Sequence, residues 1–129
     1  MGEWEGETLL YRKENFRAIE GMLHTMGLYG PSIALKQMIC AVELAHEDMK
    51  LLQNVTKGLY TRVADYFGNT NTAAVERNLR ALRDKMWEKC DRAHFERIAC
   101  YPIVVKPSTG ELIDMIRYYM EINGMFPDE

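Results

Sequence analysis

The chain is short of the residues and runs that most often announce chemistry. Its three cysteines, Cys40, Cys90 and Cys100, are odd in number and form no close pair. That excludes a disulfide framework and a Cys-x-x-Cys zinc site. Three histidines, His24, His46 and His94, fall on separate segments without ligand spacing and are read as structural. No phosphate loop, nucleophile elbow or Rossmann glycine pattern occurs, and Cys90 and Cys100 lack a partner base. The chain is therefore expected to be no enzyme, with no cofactor, metal or small-molecule substrate. It has no run of 18 apolar residues, and the acidic start Met1 to Glu7 lacks a basic leader. Neither a membrane span nor a signal peptide is expected, and a reducing cytoplasm is the natural setting.

Net positive charge is missing too: 16 Lys and Arg face 19 Asp and Glu, a balance of -3. The distribution matters more than the sum. Residues 1–53 hold 5 cations against 8 anions, residues 54–94 hold 8 against 5, and residues 95–129 hold 3 against 6. The central segment alone is positive, at +3. A local basic face of this kind can meet phosphates even on an acidic protein. With 129 residues, 47% hydrophobic and 27% charged, the chain is long enough to bury a core.

Apolar spacing divides the chain into helices. Phe16, Ile19, Met22, Leu23 and Met26 make an amphipathic stripe over 15–26, closed by Gly27 and Gly30-Pro31. From Ser32 to His46, Ile33, Leu35, Met38, Ile39, Ala41, Val42 and Ala45 cover more than half the circumference, which predicts a buried central helix. Leu51-Leu52 leads into a helix over 56–67, with Leu59, Tyr60, Val63 and Phe67 inward. Helices over 72–89 and 92–100 follow. Tyr101 to Lys106-Pro107 is β-branched and bracketed by prolines, an extended connector. Ser108 and Glu111 then form a capping box for a last helix burying Leu112, Met115, Ile116 and Tyr119, which frays near Asn123-Gly124. Tyr118 is assigned to neither core nor surface. Met22, Met26, Met38 and Met49 are expected to fill the core. The expectation is an all-α domain of six helices over 14–124, after a flexible acidic leader at 1–13 and before a tail at 125–129.

Within that plan, 61–87 has the pattern of a helix-turn-helix. Small Ala64 sits where two helices cross closely, Phe67 and Gly68 close the first helix, and Asn69-Thr70-Asn71-Thr72 forms the turn. The second helix can then lie in the DNA major groove while the first crosses the backbone.

The carrying segments are Leu23-His24-Thr25-Met26-Gly27, Val55-Thr56-Lys57-Gly58-Leu59-Tyr60, Val63-Ala64, and Val75-Glu76-Arg77 with Arg80 and Trp87. Lys106-Pro107-Ser108 and Glu111-Leu112-Ile113 extend the set. In order and spacing the chain resembles, from Phe16 to Ile122, the C-terminal effector domain family of stage-zero sporulation protein A. The resemblance implies a response-regulator effector of the winged-helix-like class whose fourth helix reads the major groove of double-stranded DNA. It also implies contact with RNA polymerase sigma subunits and a homodimer on tandem sites. Three departures stand out. Ala74 occupies the place of a base-reading arginine before Val-Glu-Arg, and the loop Ala99–Lys106 looks shorter. The family's regulator also has an N-terminal phospho-acceptor domain; here about fifteen residues precede the first helix, so no aspartyl-phosphate switch is expected within the chain.

At 100° per residue, Val75, Leu79, Leu82 and Met86 share one arc and must face the core. Ala73, Arg77, Arg80, Ala81 and Asp84 lie opposite. Glu76, Arg83 and Trp87 take one flank, and Ala74, Asn78 and Lys85 the other. Small Ala73 and Ala74 let the helix start approach base edges; Glu76 suits cytosine N4, and Arg77 and Arg80 suit guanine or phosphate. Glu76 also stands at i,i+4 from Arg80 and suits a simple ion pair. Thr56 and Lys57, which open the first helix, suit phosphate. The candidate DNA-facing set is thus Thr56, Lys57, Thr72, Ala73, Ala74, Glu76, Arg77, Asn78, Arg80 and Arg83, while Trp87 is a core anchor. The competing reading is a module that kept the fold, lost DNA reading, and binds the full-length regulator or a sigma subunit. Ala74 and the acidic flanks motivate it.

Overall fold

The computed structural model describes residues 13–127, with the backbone alone at Lys13. The expected leader lies outside the described residues except for Lys13, which already belongs to the first helix. Six α-helices form among the described residues, with no strand: α1 (Lys13–Thr25), α2 (Ile33–Glu47), α3 (Thr61–Phe67), α4 (Thr72–Lys89), α5 (Arg92–Ala99) and α6 (Thr109–Ile122).

The centre is α2, as its apolar girdle requires. Ten of its fifteen residues, between Leu35 and Ala45, are buried, and α6, α4 and α1 pack around it. Ser32 caps it by accepting from the Leu35 N–H at 3.1 Å. Two apolar residues depart from expectation. Ile33 is 54% exposed because it sits in the first turn, ahead of the packed stretch, and Met49 is 56% exposed on a short 3₁₀ turn (Met49–Gln53). Met49 therefore fills no core, whereas Met22, Met26 and Met38 do.

The predicted helix over 56–67 is two pieces. A π-helical turn (Val55–Tyr60) precedes α3, opened by Asn54, whose side chain accepts from the Lys57 N–H. The wider turn absorbs one extra residue while keeping Leu59 and Tyr60 buried along with Val63 and Ala64. Periodicity alone carries no signal for it. Gly68 ends α3 at φ 79°, the left-handed conformation that glycine adopts without strain.

The capping box is present: Ser108 Oγ accepts from the Glu111 N–H at 3.1 Å, and Glu111 returns a bond to the Ser108 N–H at 2.8 Å. Gly110, one residue inside α6, meets the π turn. A Cβ there would stand 2.9 Å from Val55 Cγ2, so the two segments can approach this closely only over a glycine. Packing also runs beyond the expected boundary at 124. Phe126 is buried and stacks on the His46 ring at 3.7 Å, and His46 Nδ1 lies 2.9 Å from Glu121 Oε2. Tyr119 packs against the core and Tyr118 is 52% exposed. No helix among the described residues is long and apolar enough to cross a membrane.

Leu79 is fully buried on α4, so Leu79→Ala should lower unfolding free energy by about 2–5 kcal/mol. Ser108→Ala removes a single cap, and the loss should be about 1 kcal/mol. Chemical denaturation of both variants checks the ranking; a Ser108→Ala loss as large as that of Leu79→Ala would contradict it.

Candidate nucleic-acid interface

The site is built on α4. Asn71 caps it, its side chain accepting from the Ala74 N–H at 2.9 Å. Val75, Leu79 and Met86 are fully buried and Leu82 nearly so. With the inner arc fixed, the opposite arc must face out. Ala73, Arg77, Arg80 and Ala81 are exposed, and Asp84 is half-exposed.

Two hydroxyls join the halves of the unit. Thr72 Oγ1 lies 3.2 Å from Thr61 Oγ1, which also donates to the Thr56 carbonyl at 3.2 Å. This sets the start of α4 against the π turn, and it places exposed Thr56 and Lys57 on the rim beside that start. Thr72 is half-buried in this contact, and Ala74 is half-buried below exposed Ala73.

The outward cations are not equivalent. Among the described residues no ion pair or hydrogen bond engages the Arg77 side chain. Arg80 approaches Glu76 at 4.0 Å, the i,i+4 pair its spacing allows, with both side chains near half exposure. Such a loose, solvated pair contributes roughly 0.3–0.5 kcal/mol, so either partner can be recruited elsewhere.

Two members of the expected set are committed inward. Asn78 Nδ2 donates to Oε1 of buried Gln37 on α2 at 2.9 Å, so its amide belongs to the helix–helix seam. Arg83 Nη1 donates to the Pro107 carbonyl at 3.0 Å and its Nε to Asp84 Oδ1 at 2.9 Å, leaving the side chain 15% exposed. Both lie on the flanks of α4, where helical spacing places them beside the outward arc but cannot show the neighbour that takes them. Trp87 is half-buried, edge-on to Phe95 at 6.0 Å, with the Arg92 guanidinium 3.9 Å over its ring. That is an anchor.

Spacing also gives no hint of an open groove beside α4. It is lined by Thr56 and Tyr60 from the π turn, Glu76 and Arg80 from α4, and Ser108 and Thr109 from the start of α6. Tyr60 is buried, which raises its hydroxyl pKa despite a side-chain bond with Thr109. Only the tertiary fold brings α6 to this edge. Among the described residues no group of three or more His, Cys, Asp or Glu is placed to hold a metal ion.

The Asp84 carboxyl is held below the usual carboxylate range, chiefly by the hydrogen bond from Lys106 Nζ at 2.8 Å, with Arg83 adding to it. A depressed carboxyl pKa means that the link is intact above the ordinary Asp value of about 3.9 and is lost as pH falls through the folded-state value. An NMR titration of the Asp84 carboxyl carbon should therefore show a midpoint below the ordinary value. Lys106→Ala should move it upward; an unmoved midpoint would exclude Lys106 as the cause.

A family model described as Sporulation initiation factor Spo0A C terminal matches residues 19–120, most of the chain and every residue of the α4 surface.

Proposed function

We propose that this chain, which belongs to the sporulation initiation factor Spo0A C-terminal family of DNA-binding effector domains, reads double-stranded DNA in a sequence-specific way through the outer face of α4. The observation that carries the reading is the exposure of Arg77 and Arg80 on a helix whose other face is buried. Arg77 stands in the open, and Arg80 keeps 52% of its side chain accessible beside Glu76.

In this reading the N-terminal half of α4 enters the major groove. Ala73 gives clearance, Arg77 and Arg80 donate to guanine or phosphate, and Glu76 accepts from cytosine N4. Thr56 and Lys57 on the rim contact phosphate and set the register, as backbone contacts do. The positive end of the α4 dipole adds to the attraction. Asn78 and Arg83 serve the scaffold and leave base reading to the exposed set. An RNA polymerase sigma subunit and a second copy on tandem sites are the protein partners this reading carries.

Selection of bound duplexes from a random pool, followed by titration of the recovered duplex at rising salt, tests the reading. Wild-type binding should weaken steeply with salt, because the release of condensed counterions is worth less as the salt concentration rises. Arg77→Ala should weaken it by about 1–3 kcal/mol, relaxing preference at one position if the contact is to a base. Ala74→Arg adds a long donor beside the groove and should tighten binding and sharpen the selected sequence. No binding to any duplex at low salt, with capture of a sigma subunit or of the full-length regulator, would replace this reading by a protein-interaction role.

A further inference from the structure

The connector between α5 and α6 is bare in the middle and fastened at both ends. Val104 and Val105 are 87% and 73% exposed. On one side the Ile103 N–H donates to Glu96 Oε2 at 3.0 Å, and Arg92 donates to the Ile103 carbonyl at 3.3 Å. On the other side the fastening reaches α4. Asp84 Oδ1 accepts from Lys106 Nζ at 2.8 Å and from Arg83 Nε at 2.9 Å, while Arg83 Nη1 donates to the carbonyl of buried Pro107 at 3.0 Å. The next residue, Ser108, caps α6.

We propose that Arg83 and Asp84 are positioning residues for DNA reading, fixing the setting of α4 against the connector and the start of α6. The inference rests on the DNA-binding reading above. Its first support is the sign of the charge. Asp84 lies two turns from Arg77 on the same arc, where an unpaired carboxylate would repel phosphate. Here two cations neutralise it, Lys106 at 2.8 Å and Arg83 at 2.9 Å, and the Arg83 side chain is only 15% exposed. Its second support is where the bonds go. They join α4 to Lys106 and Pro107, across 22 and 24 residues of chain, instead of to neighbouring turns of the same helix. Surface ion pairs add little to stability. Holding a reading helix to within a fraction of an ångström is a different task, and a polar fork on a partly buried arginine suits it.

Asp84→Ala separates this role from simple electrostatics, because only the positioning role changes the ratio between the selected and a shuffled duplex. If Asp84 were only a charge near DNA, its removal would tighten binding to every duplex. As a positioning residue, its removal should lower the ratio of affinity for the selected duplex to affinity for a shuffled one, by roughly three- to tenfold. Lys106→Ala should give the same direction from the connector side, and the double variant should lose little more than either single one. Glu88→Ala, an exposed acidic residue on the same helix, should leave the ratio unchanged. Equal or tighter binding by Asp84→Ala with the ratio intact would overturn the role alone. A wild-type protein that binds no duplex would overturn the DNA reading and this role with it.

Discussion

The rest of the structure depends on the burial of one stripe of α4 against α2. Val75, Leu79, Leu82 and Met86 follow the i, i+4, i+7, i+11 rule, and together they leave α4 a single rotational setting. Turning the helix by one residue would expose part of that stripe and bury Glu76 or Arg80. Each buried aliphatic side chain is worth about 1.5–3 kcal/mol, far more than any solvated pair on the outer face. The Gln37–Asn78 bond adds direction to a contact that is otherwise only apolar. Its geometry works at one setting, and breaking it leaves Oε1 of buried Gln37 without this donor. Exposure of the arginines follows from the core.

Much of this was legible in the sequence, because apolar periodicity reports burial directly. The bounds of α4, the central place of α2, the glycine stop at Gly68 and the Ser108–Glu111 box all rest on local rules and appear where those rules put them. What escaped is tertiary. The π turn at Val55–Tyr60 reflects the need to keep Leu59 and Tyr60 buried while passing beneath Gly110, a contact made across half the chain. Exposed Met49 and buried Phe126 are the same lesson in reverse. Residue type gives a tendency toward the core, but topology decides which methionine has a core to enter, and which ring near the end meets His46.

The candidate site divides in the same way. Arg77 and Arg80 lie directly opposite the buried stripe, where spacing alone is enough. Asn78 and Arg83 lie on the flanks, where a long polar side chain reaches either solvent or a neighbouring element. Both neighbours, Gln37 and the Pro107 carbonyl, are distant in sequence, so no local pattern names them. The flanks of α4 are thus the places where a helical wheel is least informative. They are also where α4 is fastened to the domain.

An acidic protein that offers a basic strip faces a physical compromise. At physiological ionic strength charges farther than about 8 Å apart are largely screened, so an anion distant from the strip takes little from a contact made at its arginines. The cost falls mainly on non-specific association, which depends on summed phosphate attraction. Short-range donors at base edges lose less. Two of the cations near α4, Arg83 and Lys106, are moreover spent on Asp84, which lowers phosphate attraction further. Both features shift the balance of binding energy from charge toward geometry. In the proposed DNA reading, a domain arranged in this way gains little from being near DNA and much from being correctly seated on it, and the setting of α4 outweighs the number of its cations.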